Sequence, residues 1–184
     1  IKNLFAGREN QYVRCEVCGF KSSHEEEFRA VIIPVKQHGD PHSIGSVEEG
    51  LDNYYRSERL CGDNQWYCEK CKKKVDAEKG AALSKVPYLL TVNMQRFVFD
   101  WSTEQATKLG DRVTFPETLD VARYLDEALP LHKTGSKNDT ESTQFGKNGS
   151  SILMRGRSAI GLETPDALNY DLYAILIHTG TAGA

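Results

Sequence analysis

Four of the five cysteines in this chain are spaced to share one metal ion. Cys15 and Cys18 stand in VRCEVCGFK, and Cys68 and Cys71 in WYCEKCKKK, so each pair is C-x2-C. Two thiolates separated by two residues reach one ion from a single tight turn. Two such turns facing each other make a tetrahedral four-sulfur cage, the coordination that suits structural zinc, Zn2+. Gly19, directly after the first pair, eases such a turn because it takes positive φ without a Cβ penalty. A redox role is disfavoured, since two pairs are present and neither lies in a βαβ pattern. An iron–sulfur cluster is the other group that four thiolates hold. Cys61, in RLCGDN, stands alone and reads as an inert small thiol.

About 49 residues separate the two pairs, far more than in a compact zinc ribbon, so a folded insert must lie between them. The flanking segments read mainly as strands. QYVRC, EEFRAVIIPV, AALSKV and YLLTVNMQRFVFD are rich in β-branched and aromatic residues, and RVTFPETL is a short strand stopped by Pro116. SVEEGLDNYYRSE reads as a helix: Ser46 and Glu49 form a capping box, and Val47, Leu51, Tyr54 and Tyr55 make an apolar stripe. Gly50 weakens that helix. Asp120 caps a second, short helix over VARYLDE. The fold class expected is α+β with a mostly antiparallel sheet.

From Leu131 to Ser151 the chain turns polar, LHKTGSKNDTESTQFGKNGSS, with little to bury. A largely disordered surface insertion over 131–168 is expected, with ILMRGRSAIGLETPDA docking weakly and order returning at Asn169. The 184 residues suit one domain, or one domain with a sub-lobe. A net charge of −3 leaves no global basic field for nucleic acid. No apolar run approaches the length of a membrane helix. The start, IKNLFAGREN, lacks a signal-peptide core and an initiator Met, so the expectation is a piece of a longer cytoplasmic or nuclear protein.

YVRCEVCG, SVEEGL, GDNQWYCEKCKKK, AEKG, VPYLLTVNMQRF, KLGDRVTFPETLD and YDLYAILIHTG follow one another in this order. Together they resemble the ubiquitin-specific proteases, a family of cysteine deubiquitinases. The stretch CKKKVDAEKG and the place of the polar insertion are most similar to its ubiquitin carboxyl-terminal hydrolase 47 subgroup. The resemblance implies a papain-like fold, represented here by zinc-ribbon fingers of antiparallel strands and part of the palm sheet. Residues 1–11 would lead in from the thumb, 12–85 form the fingers, 86–130 the palm strands, 131–168 the insertion, and 169–184 a further palm strand.

The resemblance also implies chemistry. A cysteine thiolate attacks the carbonyl after the last glycine of ubiquitin, a histidine serves as base and then acid, and an Asp or Asn orients that histidine. The family's nucleophile lies in a Cys box ahead of the fingers, and its catalytic histidine in a Gly-His-Tyr motif beyond the H-S/T-G stretch. Neither stands in this sequence, so no residue here is assigned a catalytic role and the chain alone is expected to be inactive. His178 matches the non-catalytic histidine of H-S/T-G. With Arg96, Phe97 and Lys108 it is expected to line the channel for the ubiquitin tail. The plain alternatives are a strand-end histidine with a backbone partner, a core phenylalanine, and a surface ion pair for the two cations. The run Lys70, Lys72, Lys73 and Lys74 reads as a solvated fingertip, and Glu25–Glu27 as either a steering patch for ubiquitin or a soluble strand edge. Expected partners are ubiquitin, ubiquitinated proteins and the remainder of the parent catalytic domain, with no membrane, and nucleic acid disfavoured. The competing class is a catalytically inactive zinc-ribbon module that binds protein or nucleic acid.

Overall fold

The computed structural model describes residues 2–36, 42–100, 104–126, 149–156 and 168–177, and this part of the chain is built mostly from strands. In chain order the elements are α1 (Lys2–Phe5), β1 (Gly7–Cys15), β2 (Lys21–Phe28), β3 (Val31–Pro34), α2 (Val47–Tyr55), β4 (Glu58–Leu60), β5 (Trp66–Cys68), β6 (Lys73–Val75) and β7 (Ala77–Lys85). β8 (Leu89–Gln95), β9 (Phe97–Asp100), β10 (Gln105–Lys108), β11 (Thr118–Asp120), β12 (Gly149–Gly156) and β13 (Asn169–Ile177) follow.

Two larger sheets organise them. The first is antiparallel, in the order β2-β1-β7-β4; the second has the order β11-β13-β12-β8-β3. Two small hairpins, β5–β6 and β9–β10, stand apart from both. The second sheet is antiparallel except for β3, which runs parallel to β8. Its core follows from alternation: Leu90, Val92 and Met94 of β8 and Val31 and Ile33 of β3 are buried, while Ile32 between the last two is exposed. α2 packs Val47, Gly50 and Leu51 onto this layer. Gly50 is there because of a close approach: a Cβ at that position would lie 2.3 Å from Ile33 Cγ2. Tyr170 is fully buried and donates its hydroxyl to the Pro87 carbonyl, tying β13 to the entry of β8.

Asp126 fastens the segment that follows β11 to the first sheet. Its backbone N–H donates to the Leu83 carbonyl at 2.9 Å. Its buried carboxylate accepts from Asn10 Nδ2 at 2.9 Å and from Lys21 Nζ at 3.1 Å to both oxygens. Lys21 also lies over the Tyr12 ring at 4.7 Å.

Several expectations change at the level of pairing. EEFRAVIIPV is not one strand: its charged half is the exposed edge strand β2, and its aliphatic half is β3 in the other sheet. YLLTVNMQRFVFD breaks at Arg96 into β8 and β9. The stretch before Pro116 makes only the bridge Ser46↔Thr114, and the ladder strand forms after it, as β11. The Ser46 hydroxyl caps α2 by accepting from Glu49 N at 3.1 Å. The reciprocal bond of a capping box goes elsewhere, because Glu49 Oε2 accepts from Gly45 N at 2.7 Å. Asp120 does cap a turn, accepting from Ala122 N at 2.8 Å, but Ala122–Tyr124 is a single 3-10 turn. The span 131–168, expected to be largely disordered, contains β12, which lies between β8 and β13 and pairs with both. A short apolar run with polar flanks is a weak signal by itself. Two waiting strand edges make it a central strand.

Candidate functional site

The two C-x2-C pairs meet. Cys15 ends β1 and Cys68 ends β5, so each knuckle follows directly from a strand. All four sulfur atoms lie within 4.8 Å of one another. Cys15 Sγ is 3.9 Å from Cys71 Sγ, and Cys18 Sγ is 3.7 Å from Cys68 Sγ. A zinc ion bonded to four sulfurs at about 2.3 Å needs S···S edges of about 3.8 Å, so the donor set fits a tetrahedral ion in both chemistry and size.

The knuckles are built alike. Cys18 N donates to Cys15 Sγ and Cys71 N to Cys68 Sγ, each at 3.4 Å. The residue after each second cysteine closes the turn through its backbone: Gly19 N donates to Cys15 O at 3.0 Å, and Lys72 N to Cys68 O at 2.8 Å. Both adopt left-handed backbone, φ +69° at Gly19 and φ +56° at Lys72. The first knuckle therefore uses the residue this geometry favours, and the second does not.

Burial by itself would raise the Cys15 thiol, but N–H donors from Cys18 and Val17 and the neighbouring thiols outweigh it and bring it down to about 7. Cys71 is pushed up to about 12 by the Cys18 thiol, then by burial and the other two sulfurs. Four thiols this close cannot all ionise without a cation among them. Cys15, Cys68 and Val75 form a small core with Trp66 and Phe20 packed on it, the last two rings stacked 6.4 Å apart.

A polar network that the sequence reading missed braces the cage. Glu16, inside the first knuckle, takes a two-pronged grip from Arg59 on β4, at 2.8 and 2.9 Å. Arg59 also reaches Asp76 at 3.2 Å, and Asp76 accepts from Gln65 Nε2 at 2.6 Å. The Arg59 guanidinium holds the Glu16 carboxyl below the usual range. The only sequence signal was an acid inside C-E-V-C, which has many partners in principle. Cys61 lies outside the cage and is exposed.

A model of the family described as ubiquitin carboxyl-terminal hydrolase matches residues 1–184. The chain belongs to the ubiquitin carboxyl-terminal hydrolase family. It is 42% identical to ubiquitin carboxyl-terminal hydrolase 47 of Drosophila melanogaster over 70% of this chain and 8% of the relative. Against ubiquitin carboxyl-terminal hydrolase 47 of Homo sapiens the identity is 34%, over 99% of this chain and 15% of the relative. Ubiquitin carboxyl-terminal hydrolase 24 of Homo sapiens is 30% identical over the whole of this chain and 6% of its own length. The chain thus spans a small part of each of these relatives.

The residues expected to line a channel fare differently in this member of the family. Phe97 and Lys108 are direct cross-strand partners on β9–β10, and Phe97 is 42% exposed. Arg96 is 2% exposed, which corrects the surface-ion-pair reading. It donates to the Leu109 carbonyl at 3.3 Å and the Asp111 carbonyl at 2.7 Å, while its own carbonyl accepts from Leu109 N at 2.7 Å. Burial lowers the Arg96 pKa, partly opposed by Asp111. Arg96 is thus the clamp at the base of the hairpin that carries Phe97 and Lys108. His178 lies outside the described residues.

Proposed function

We propose that this chain is the ubiquitin-engaging fingers and part of the palm of a cysteine-type deubiquitinase, with a structural zinc held by Cys15, Cys18, Cys68 and Cys71. The parent enzyme would hydrolyse the bond after the C-terminal glycine of ubiquitin. The nucleophile and base would come from other segments of the parent enzyme, so this chain alone would be inactive. The observation that carries the reading is the four-sulfur cage closing two strand-borne knuckles in a member of this hydrolase family. The ion would link the β1–β2 and β5–β6 hairpins, the second of which has almost no core of its own. Phe97 and Lys108, on a hairpin braced by Arg96, would flank the extended ubiquitin tail, with His178 near its end. Tyr173 and Leu176 of β13, 62% and 68% exposed, suit a surface covered by the rest of the catalytic domain. Action in the cytoplasm or nucleus fits ubiquitinated proteins as substrates.

The test is titration of the zinc-loaded chain with ubiquitin, followed by heteronuclear NMR, beside a ubiquitin-fluorophore assay. Saturable binding weakened by Phe97→Ala and by Lys108→Glu, without turnover, is the expected result. Turnover by the chain alone that Cys61→Ala abolishes would overturn the assignment of its cysteines.

A further inference from the structure

The second knuckle is built like the first but decorated differently. Lys70, Lys72, Lys73 and Lys74 are all exposed, four ammonium groups within five residues. Among the described residues none of the four forms an ion pair. The nearby acids Glu16 and Asp76 are engaged by Arg59. In β5–β6, Tyr67 pairs directly with Lys74, on the face opposite buried Cys68 and Val75; Tyr67 is 52% exposed. Val17, at the tip of the first knuckle, is 64% exposed. The tip therefore offers unneutralised cations with an aromatic ring beside one of them, Lys74.

Lys72 adds an independent observation. It occupies the left-handed position that Gly19 fills in the first knuckle, at φ +56°. A side chain there strains the backbone, and glycine would serve the turn better. The turn demands this backbone, but the lysine side chain returns nothing to it: Lys72 is exposed and makes no ion pair among the described residues. The strain puts a cation at the apex of the hairpin.

We propose that this fingertip is a docking surface for a short acidic polypeptide segment, whose carboxylates meet Lys70, Lys72, Lys73 and Lys74 while an apolar or aromatic side chain packs on Tyr67. A short segment fits better than a nucleic acid strand. All the cations of the β5–β6 hairpin lie between Lys70 and Lys74, a patch that a few carboxylates cover and that offers a longer strand no further row of charge. One exposed ring is also a poor stacking platform for successive bases. The proposal stands on the hairpin alone, and loss of ubiquitin binding by Phe97→Ala would leave it intact.

The test is fluorescence anisotropy of the zinc-loaded chain with a fluorescein-labelled deca-glutamate peptide and, separately, a deca-thymidylate of equal label. Saturable peptide binding that weakens with salt is expected. Reversing Lys72, Lys73 and Lys74 to Glu should weaken it about tenfold or more, each exposed pair contributing about twofold to fivefold. Lys72→Gly, which keeps the turn, should weaken binding about twofold to fivefold while raising the melting temperature. No peptide binding, peptide binding unchanged by the charge reversal or by Lys72→Gly, or tighter binding of the deca-thymidylate would each overturn the proposal.

Discussion

Gly50→Ala opposes helix propensity to packing, and the two predict opposite signs. By propensity, alanine at an interior position of α2 stabilises the helix by about 1 kcal/mol. In the fold the new methyl would lie 2.3 Å from Ile33 Cγ2, 3.0 Å from Ile44 Cδ1 and 3.2 Å from Ile33 Cδ1. Ordinary carbon contacts need about 3.5 Å, so the helix must lift or Ile33 must yield by about 1.2 Å. Ile33 cannot yield cheaply: it is fully buried, and its strand is held in register against β8. Overpacking of this kind costs about 1–3 kcal/mol, and the tight first contact places this case in the upper half. The net effect is a loss of about 1–2 kcal/mol, or about 2–8 °C in Tm for a chain of this size. Urea unfolding followed by far-UV circular dichroism measures it. Ile33→Ala removes both contacted Ile33 methyls. In that background Gly50→Ala should become neutral or mildly stabilising, a coupling of about 1 kcal/mol or more between the two sites. A Gly50→Ala chain more stable than its parent would refute the packing argument.

Metal analysis should find one zinc per chain, and chelation should raise hydrogen exchange first in β1, β2, β5 and β6; four freely titratable thiols in the folded, purified chain would contradict this. Glu9 is buried on β1 and accepts from the Tyr54 hydroxyl at 3.3 Å; burial raises its pKa, partly opposed by Tyr54 and Gln11. A raised carboxyl favours the fold in its protonated form, so its contribution is present at low pH and lost as pH rises through the raised value. Glu9→Gln should therefore increase stability at neutral pH and flatten the stability-versus-pH curve across the carboxylate range, which denaturant titration at several pH values checks. Phe97→Ala, at a position 42% exposed, should cost less than the about 3–5 kcal/mol of a core phenylalanine while weakening ubiquitin binding; a thermal melt beside the binding titration separates the two.

What the sequence carried by itself was local. C-x2-C is a turn with two donors whatever surrounds it, so Cys15, Cys18, Cys68 and Cys71 were legible as a candidate metal-binding set before the fold brought them together. Ser46 and Asp120 cap the turns that follow them because a cap bond closes within three residues. The ordered series of motifs pointed to the hydrolase family, since each motif sits on one element. Tertiary structure decided what depends on partners far along the chain. Arg96 looked like a surface cation, and only the return of Leu109 and Asp111 to its side buries it as a clamp. EEFRAVIIPV looked like one strand, but strand identity is a matter of pairing, and its halves find different sheets. β12 was hidden in a polar stretch because β8 and β13 supply the hydrogen bonds that make it a strand. Gly50 looked like a helix defect and is a packing requirement, a fact written in the position of Ile33 and not in the helix. Lys72 is an ordinary lysine in the sequence. Only the tertiary structure shows that it takes the left-handed backbone that Gly19 takes in the first knuckle.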